Sequence, residues 1–239
     1  MEFSTSKTIT FAVVVCLVCG VFVAGSAVGL KERQKENEVL DRQKKVLEVA
    51  GITTSTPEEL KATYAARVNP TDVPLVKEGC AEGKKGLTGP APAGNKAKVA
   101  NLPNCATIFL IRDAKDPAKT ETIILPVEGK GLWSTLYGYI AMDPNGTDIK
   151  GLTFYKHGET PGLGGEVDNP KWKAQWIGKK AYKPGDAAPA LFVQKGKASN
   201  DYSVDGLSGA TLTSNGVTYL LQFWLSPELF GTYLKSFKG

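Results

Sequence analysis

The chain is short of the residues that most catalytic centres are built from. Among its 239 residues there are one histidine, His157, two methionines and four cysteines. One histidine cannot build a multi-histidine metal site, and it would have to serve in any Ser-His-Asp arrangement. No stretch of a single charge sign stands out. The 29 basic and 24 acidic residues are mixed along the chain and leave a formal net charge of +5. Without a basic stripe, nucleic acid is not an expected partner. No G-x-G-x-x-G follows a strand, so the dinucleotide fingerprint is missing too. Internal repeats are absent. Hydrophobic residues are 42% and charged residues 22% of the whole, an ordinary balance that excludes global disorder and collagen-like repetition. The length fits one domain, or one domain with an anchor.

Charge is missing altogether from residues 8–30, TITFAVVVCLVCGVFVAGSAVGL, between Lys7 and Lys31. A helix of that length rises about 34 Å, enough to cross a hydrocarbon layer of about 30 Å. A cleaved signal peptide is the alternative, with Gly25-Ser26-Ala27 as the cleavage site and Lys7 as a thin n-region. The length of the run and the polar helix that follows it favour a retained anchor. The expected organisation is a short tail at 1–7, a transmembrane helix at 8–30, a juxtamembrane helix at 31–50 and one domain at 51–239. In the juxtamembrane helix Val39, Leu40, Val46 and Leu47 recur at helical spacing. Basic residues after the span outnumber those before it, which taken alone would put the domain in the cytoplasm. Large translocated domains follow loop charge poorly, so composition leaves the side open. Cys16 and Cys19, inside the span, read as small apolar packing residues rather than a metal or redox pair. Cys80 and Cys105 fit either one disulfide in an extracytoplasmic domain or two buried thiols.

The remainder alternates strand and helix signals. Thr56-Pro57-Glu58-Glu59 is a capping box with proline at the first helical position. Residues 83–104, rich in Gly, Pro, Ala and Lys, read as a surface loop. Strands are expected at 105–113, 121–129, 147–157 and 189–196. Short helices are expected at 168–176 and 213–225, with a last helix after Ser226-Pro227-Glu228 that ends near Lys238. The expected fold class is α+β: one membrane helix followed by a single mixed α/β domain.

Three segments carry candidate chemistry. DGLSGATLTSNGV, 205–217, places Ser208, Thr211, Thr213 and Ser214 among Gly206, Gly209, Ala210 and Gly216, just before a helix. Small residues admit a ligand to the backbone, and a helix N-terminus offers free N–H groups to a phosphate. An ordinary Ser/Thr helix cap would look the same. KHGETPGLGGEVDNPKW, 156–172, sets His157, Glu159 and Thr160 beside Pro161, Gly162, Gly164 and Gly165. With little bulk besides Leu163, it either lays backbone against a flat ring or merely connects strand to helix. VEGKGLWSTLYGY, 127–139, opens on a glycine turn and carries Trp133, Tyr137 and Tyr139, aromatics that at this spacing are usually core. GLSGA, 206–210, approaches a nucleophile elbow. His157 precedes Ser208, however, which is the wrong order for an α/β-hydrolase triad.

Taken together the segments resemble one family. D-G-L-S-G-A-T at 205–211 is similar to the flavinylation motif of the FMN-binding domain family. That resemblance implies FMN joined through its phosphate to the Thr211 hydroxyl by a flavin transferase, which reads Asp205, Ser208, Gly209, Ala210 and Thr211. H-G-E-T-P-G-L-G-G at 157–165 and G-K-G-L-W-S-T-L-Y-G at 129–138 resemble the C-type subunit of the sodium-translocating NADH:quinone reductases. So do the single membrane helix and the overall length. The G-type subunit of the Rnf complex shares the threonine motif and a similar ETPGLG loop, but GKGLWS favours the quinone reductase. The 83–104 stretch and the cysteine pair carry none of the likeness.

The resemblance implies a redox subunit that relays single electrons within a membrane complex and is inactive alone. Its domain would face the periplasm from a bacterial inner membrane. Its partners would be the other subunits of the complex and the transferase. No catalytic acid–base group and no metal site is implied. Thr160 and Leu163 are expected to contact the isoalloxazine, with Glu159 and Gly162 holding that loop's shape. Ser208, Gly209, Ala210, Leu212 and Thr213 would surround the phosphate at the helix N-terminus. Lys195 either places a positive charge near the flavin or is a solvated surface lysine. Trp133 either flanks the ring or supports it, and His157 is expected to be a loop hydrogen-bonder. A different class of reading is an anchored, non-redox binding domain that keeps the fold with Thr211 bare.

Overall fold

The computed structural model describes residues 4–237. The first three residues of the tail, and Lys238 where the last helix was expected to end, lie outside the described residues. By compactness the chain divides into two units, Met1–Asp41 and Arg42–Gly239. In the first, the described residues from Thr5 on are helical, and all but the half-buried Leu40 are exposed. They belong to α1, Thr5–Val49, which is long and apolar enough to cross a membrane. Cys16 and Cys19 are free and exposed on it.

In the second unit, α2 (Pro57–Arg67) starts as its capping box predicts. The Thr56 hydroxyl accepts the Glu59 N–H at 3.2 Å, and the Glu59 carboxylate accepts the Ser55 N–H at 2.8 Å. A chain of strands follows: β1 (Val68–Pro74), β2 (Thr88–Pro90), β3 (Asn101–Pro103), β4 (Cys105–Arg112), β5 (Thr120–Lys130), β6 (Thr135–Met142) and β7 (Ile149–Lys156). Five of them form one antiparallel sheet in the order β1-β4-β5-β6-β7, and β2 pairs with β3. After the helix α3 (Pro170–Ala174), β8 (Phe192–Gln194) and β9 (Ser203–Asp205) form a short parallel pair. Helix α4 (Thr211–Trp224) and the short α5 (Thr232–Ser236) complete the domain.

The sheet has its period-2 apolar positions on one face. Ile123, Leu125 and Val127 of β5, Leu136 and Ile140 of β6, and Leu152 and Phe154 of β7 join Val217, Leu220, Leu221 and Trp224 of α4 in one buried cluster. Leu220 comes so close to β5 that a Cβ on Gly129 would lie 2.5 Å from its own. The other face meets the end of α1, where Val46, Leu47 and Val49 are buried. There a Cβ on Gly151 would lie 2.7 Å from the Val49 carbonyl oxygen, and the Arg42 guanidinium sits 5.3 Å from the Tyr155 ring centroid.

Four expected strands are present, as β4, β5, β7 and, shortened to Phe192–Gln194, β8. Three regions differ from expectation. The segment 127–139 is the end of β5, a turn and the start of β6, with Tyr139 in the core as expected and Trp133 exposed. TLYGYIAM lacks alternation because most of it is buried on both faces. Its interior glycine is demanded by the neighbouring strand, since a Cβ on Gly138 would meet the Thr153 carbonyl at 2.4 Å. β1 was hidden by Pro70 and Pro74, which a strand tolerates at a sheet edge, where β1 lies. The 83–104 stretch is more than a surface loop. It contains β2 and β3 and buries Ala97, Val99 and Leu102 in the core.

Cys80 and Cys105 are joined by a disulfide. It ties the start of β4 to the beginning of that excursion, closing a loop of sequence separation 25. Loop-closure entropy of this size corresponds to about 3.5 kcal/mol. Replacing both cysteines by serine is therefore expected to lower the Tm of the domain by about 7–14 °C. A calorimetric shift of less than about 2 °C would show that the staple contributes little.

Candidate functional site

The three sequence segments converge on one buried carboxylate. Glu159, 5% exposed, lies in the loop after β7. Its Oε1 accepts the backbone N–H groups of Trp133 and Ser134, both at 3.0 Å, and the Ser134 hydroxyl at 3.4 Å. Its Oε2 accepts the Leu132 N–H at 3.1 Å and the Thr213 hydroxyl at 2.7 Å. Three successive amides of the β5–β6 turn thus form a nest around an anion supplied by the chain itself. The loop, the turn and the first turn of α4 are held by one group. Burial on its own pushes the Glu159 carboxyl up. Hydrogen bonds from Thr213, Ser134, Trp133 and Leu132 outweigh it and hold the group below the ordinary value of 4.5.

Glycines make this closure possible. A Cβ on Gly131 would fall 2.6 Å from Glu159 Oε1. One on Gly164 would fall 2.6 Å from the Thr213 hydroxyl oxygen, and one on Gly216 would fall 2.4 Å from the Lys130 carbonyl oxygen. The rest of the loop is fixed by short bonds. The Gly158 N–H donates to the Ser134 hydroxyl at 2.6 Å. His157 Nδ1 accepts the Glu159 N–H at 3.2 Å while Nε2 lies 2.8 Å from Asp168. Nδ1 is the acceptor, so the proton sits on Nε2 and points at Asp168. His157 is a loop hydrogen-bonder, as expected, with both ring nitrogens occupied.

The D-G-L-S-G-A-T turn runs from β9 into α4. Asp205, read from sequence as a recognition residue, is also a brace. Its carboxylate accepts the Ala198 N–H at 2.6 Å, its N–H donates to the Gln175 side chain at 2.9 Å, and its carbonyl accepts the Trp172 indole N–H at 2.8 Å. The Leu207 N–H donates to the Ser214 hydroxyl at 3.1 Å. Ala210 is buried, while Ser208, Gly209, Thr211 and Leu212 face solvent. Gly209 has φ +68°, and a Cβ there would strike Leu163 Cδ2 at 2.9 Å. Leu163 therefore leans across the turn that carries Thr211. The N-cap of α4, Ala210, offers no side-chain bond, so the free N–H groups of its first turn have no side-chain acceptor from the cap.

The three segments expose several apolar side chains: Trp133 is 67% exposed and Leu212 59%, and Leu163 and Leu132 are exposed as well. Trp133 is not a core aromatic, in contrast to the buried Tyr139. Thr160 and Gly162 are exposed in the same loop, Gly162 with φ +76°. Lys195 is exposed in the turn after β8. That turn abuts the motif: the Gly206 N–H donates to the Gly196 carbonyl at 2.8 Å. One expectation is corrected. Thr213 does not turn its hydroxyl to a phosphate, because that hydroxyl is buried and committed to Glu159. Ser134, Trp172 and Gln175 were not singled out from sequence. Their contribution comes through contacts 25 to 33 residues distant along the chain.

Comparisons with known proteins show what the chain is similar to. Residues 131–226 match the family described as FMN-binding domain. The chain is 41% identical over 249 residues to the C-type subunit of Na(+)-translocating NADH-quinone reductase from Yersinia pestis, covering 97% of this chain and 92% of that relative. It is 42% identical to the corresponding protein from Pseudomonas aeruginosa, covering 98% and 97%. Among solved structures, Shewanella oneidensis NqrC superposes with a TM-score of 0.71 at 30% identity, covering 82% of this chain and 96% of that one.

The Glu159 cluster makes a clear prediction. Removing the carboxylate strands buried donors, so Glu159→Ala is expected to cost about 3–5 kcal/mol. Because the folded-state value lies below 4.5, the contribution is complete above that pH and fades as pH falls through the depressed value. Denaturant melts from pH 7 to pH 3 should show the gap between wild type and Glu159→Ala closing at the acid end. A gap that stayed constant to pH 3 would contradict the assignment.

Proposed function

The chain belongs to the family of C-type subunits of Na(+)-translocating NADH-quinone reductases, and on that premise we propose that it carries FMN covalently on Thr211 and relays single electrons within such a complex. The observation that carries this reading is the exposed Thr211 at the uncapped, electropositive start of α4. A phosphate attached there supplies the acceptors that the helix end lacks. The residues present fit the group. The backbone at Gly209 leaves no room for a Cβ, and Leu163 and Trp133 offer exposed apolar surface of the kind a flat ring covers.

Bound FMN supplies reversible one-electron chemistry. The chain supplies the mounting. Ser208, exposed beside Thr211, is free to donate to the phosphate, and the first amides of α4, Leu212 and Thr213 among them, point toward it. Leu163 and Thr160 present the loop held by Glu159, and Trp133 forms a wall of the site. Lys195, on the turn against Gly206, favours the negative charge that reduction brings. Attachment forms a Thr211 Oγ–phosphorus ester as the hydroxyl loses its proton. The flavin transferase uses a flavin donor activated as a phosphoanhydride, whose other half leaves. Other subunits of the complex act as electron donor and acceptor.

The domain is proposed to lie on the periplasmic side of the inner membrane, held by residues 8–30. The Cys80–Cys105 disulfide supports that side, because such bonds persist in oxidising compartments. Residues 31–50 are proposed to connect the anchor to the domain, with the buried Val46, Leu47 and Val49 at their end packing as part of it.

Intact-mass measurement of the protein from its native membrane is expected to show a gain of one FMN less one water. Thr211→Ala should lack that gain while melting at a similar temperature. An unmodified wild-type mass, from cells shown to flavinylate another protein, would overturn the covalent reading. A fusion of alkaline phosphatase after Gly239 should be active; an inactive enzyme, with a fluorescent cytoplasmic reporter at the same position, would reverse the orientation.

A further inference from the structure

We propose that Glu159 and Thr213 act as one positioning unit that fixes Trp133 relative to Thr211, and so sets the geometry between the ring wall of the site and the anchored end of the cofactor. The inference rests on the flavin reading above and goes beyond it, because neither side chain needs to touch the flavin.

Trp133 is an unusual exposed aromatic, because its main chain is held on both sides. Its N–H donates to Glu159 Oε1 at 3.0 Å, and its carbonyl accepts the Lys130 ammonium at 3.1 Å. Only the indole is free, 67% exposed. A fixed backbone under an exposed ring removes the backbone share of the entropy cost of ordering that ring against a ligand, leaving only the side chain's own. The same carboxylate reaches α4 through its other oxygen, which accepts the Thr213 hydroxyl at 2.7 Å. Thr213 lies two residues after Thr211, in the same helical turn. The path from indole to attachment point is therefore Trp133 N–H, carboxylate, Thr213 hydroxyl and half a turn of helix.

That path has no slack. Cβ atoms on Gly131 and Gly164 would fall 2.6 Å from Glu159 Oε1 and from the Thr213 hydroxyl oxygen. At both positions the backbone of one segment lies against the side-chain oxygens that join the others, leaving no room for a Cβ. The Thr213 hydroxyl is fully buried, so its influence on the cofactor passes through position. Valine in its place would keep the shape and lose the donor, leaving Oε2 with the Leu132 N–H alone. The helix end and the Trp133 turn would then move independently, and placement errors of a fraction of an ångström matter at such sites.

The test compares full-length wild type, Thr213→Val and Thr213→Ser, each co-expressed with the flavin transferase. Intact mass, fluorescence anisotropy of the attached flavin, and its midpoint potential are read on each. The expected result, read on the flavin-bearing fraction of each protein, is lower anisotropy and a displaced potential in Thr213→Val and recovery of both in Thr213→Ser; a Thr213→Val protein that takes no flavin is judged on the amide resonances given below for the bare chain. Gly164→Ala, which crowds the same hydroxyl, should move anisotropy and potential as Thr213→Val does. Thr213→Val with flavin attached and wild-type anisotropy and potential would overturn the proposal. So would a Thr213→Ser protein that recovers neither. If wild type gains no mass, the flavin reading fails. The positioning unit is then judged on the bare chain, where the Leu132–Ser134 amide resonances should broaden in Thr213→Val and not in Thr213→Ser. Equal line widths would overturn it.

Discussion

A buried carboxylate that makes no ion pair has to be compensated by hydrogen bonds, and at Glu159, which pairs with no cation among the described residues, that requirement organises the domain's working end. Three amides and two hydroxyls converge on it. Each comes from an element other than its own loop: the β5–β6 turn or α4. An unpaired buried charge would cost several kcal/mol, so none of these elements can drift without exposing that cost. The folded arrangement is correspondingly selective. Glycine stands at 131 and 164 against the side-chain oxygens of Glu159 and Thr213, and at 216 against the Lys130 carbonyl.

This division of labour separates rigidity from exposure. The groups that hold the site are buried, among them Glu159, Thr213 and Ser214. The groups offered to a ligand or partner are exposed: Thr211, Leu212, Leu163 and Trp133. Under the proposed function, the site has to be reached first by a maturing enzyme and then by electron-transfer partners, and so cannot be enclosed. Precision has to come from beneath the surface, through main-chain anchoring of residues whose side chains stay free. The disulfide contributes at longer range. It closes the excursion that buries Ala97, whose carbonyl accepts the Lys130 N–H at 2.8 Å just before the Trp133 turn.

Much of this was legible in the sequence, and the limits have physical causes. The apolar run at 8–30, the capping box at Thr56 and the strands that became β4, β5 and β7 are local signals, and all were readable. The Thr211 turn was readable because small residues before a helix are also local. β1 and β6 were hidden, one by prolines that only an edge position excuses and the other by burial on both faces. The role of Thr213 could not be read. A threonine at the third position of a helix looks like a phosphate ligand until the fold brings Glu159, 54 residues away, against its hydroxyl. The glycines of LGG likewise read as backbone laid against a flat ring or as a plain connector, and those of GKG as a turn; Gly131 and Gly164 instead make room for the Glu159 carboxylate and the hydroxyl bonded to it.

The central claim is that Glu159 binds the Trp133 turn and the start of α4 into one unit. Amide hydrogen exchange on wild type and Glu159→Ala tests it directly. The account predicts that protection falls together at residues 131–134 and 211–214, while β4 and β5 keep wild-type protection. Loss confined to one of the two segments, or a uniform loss across the sheet, would contradict it.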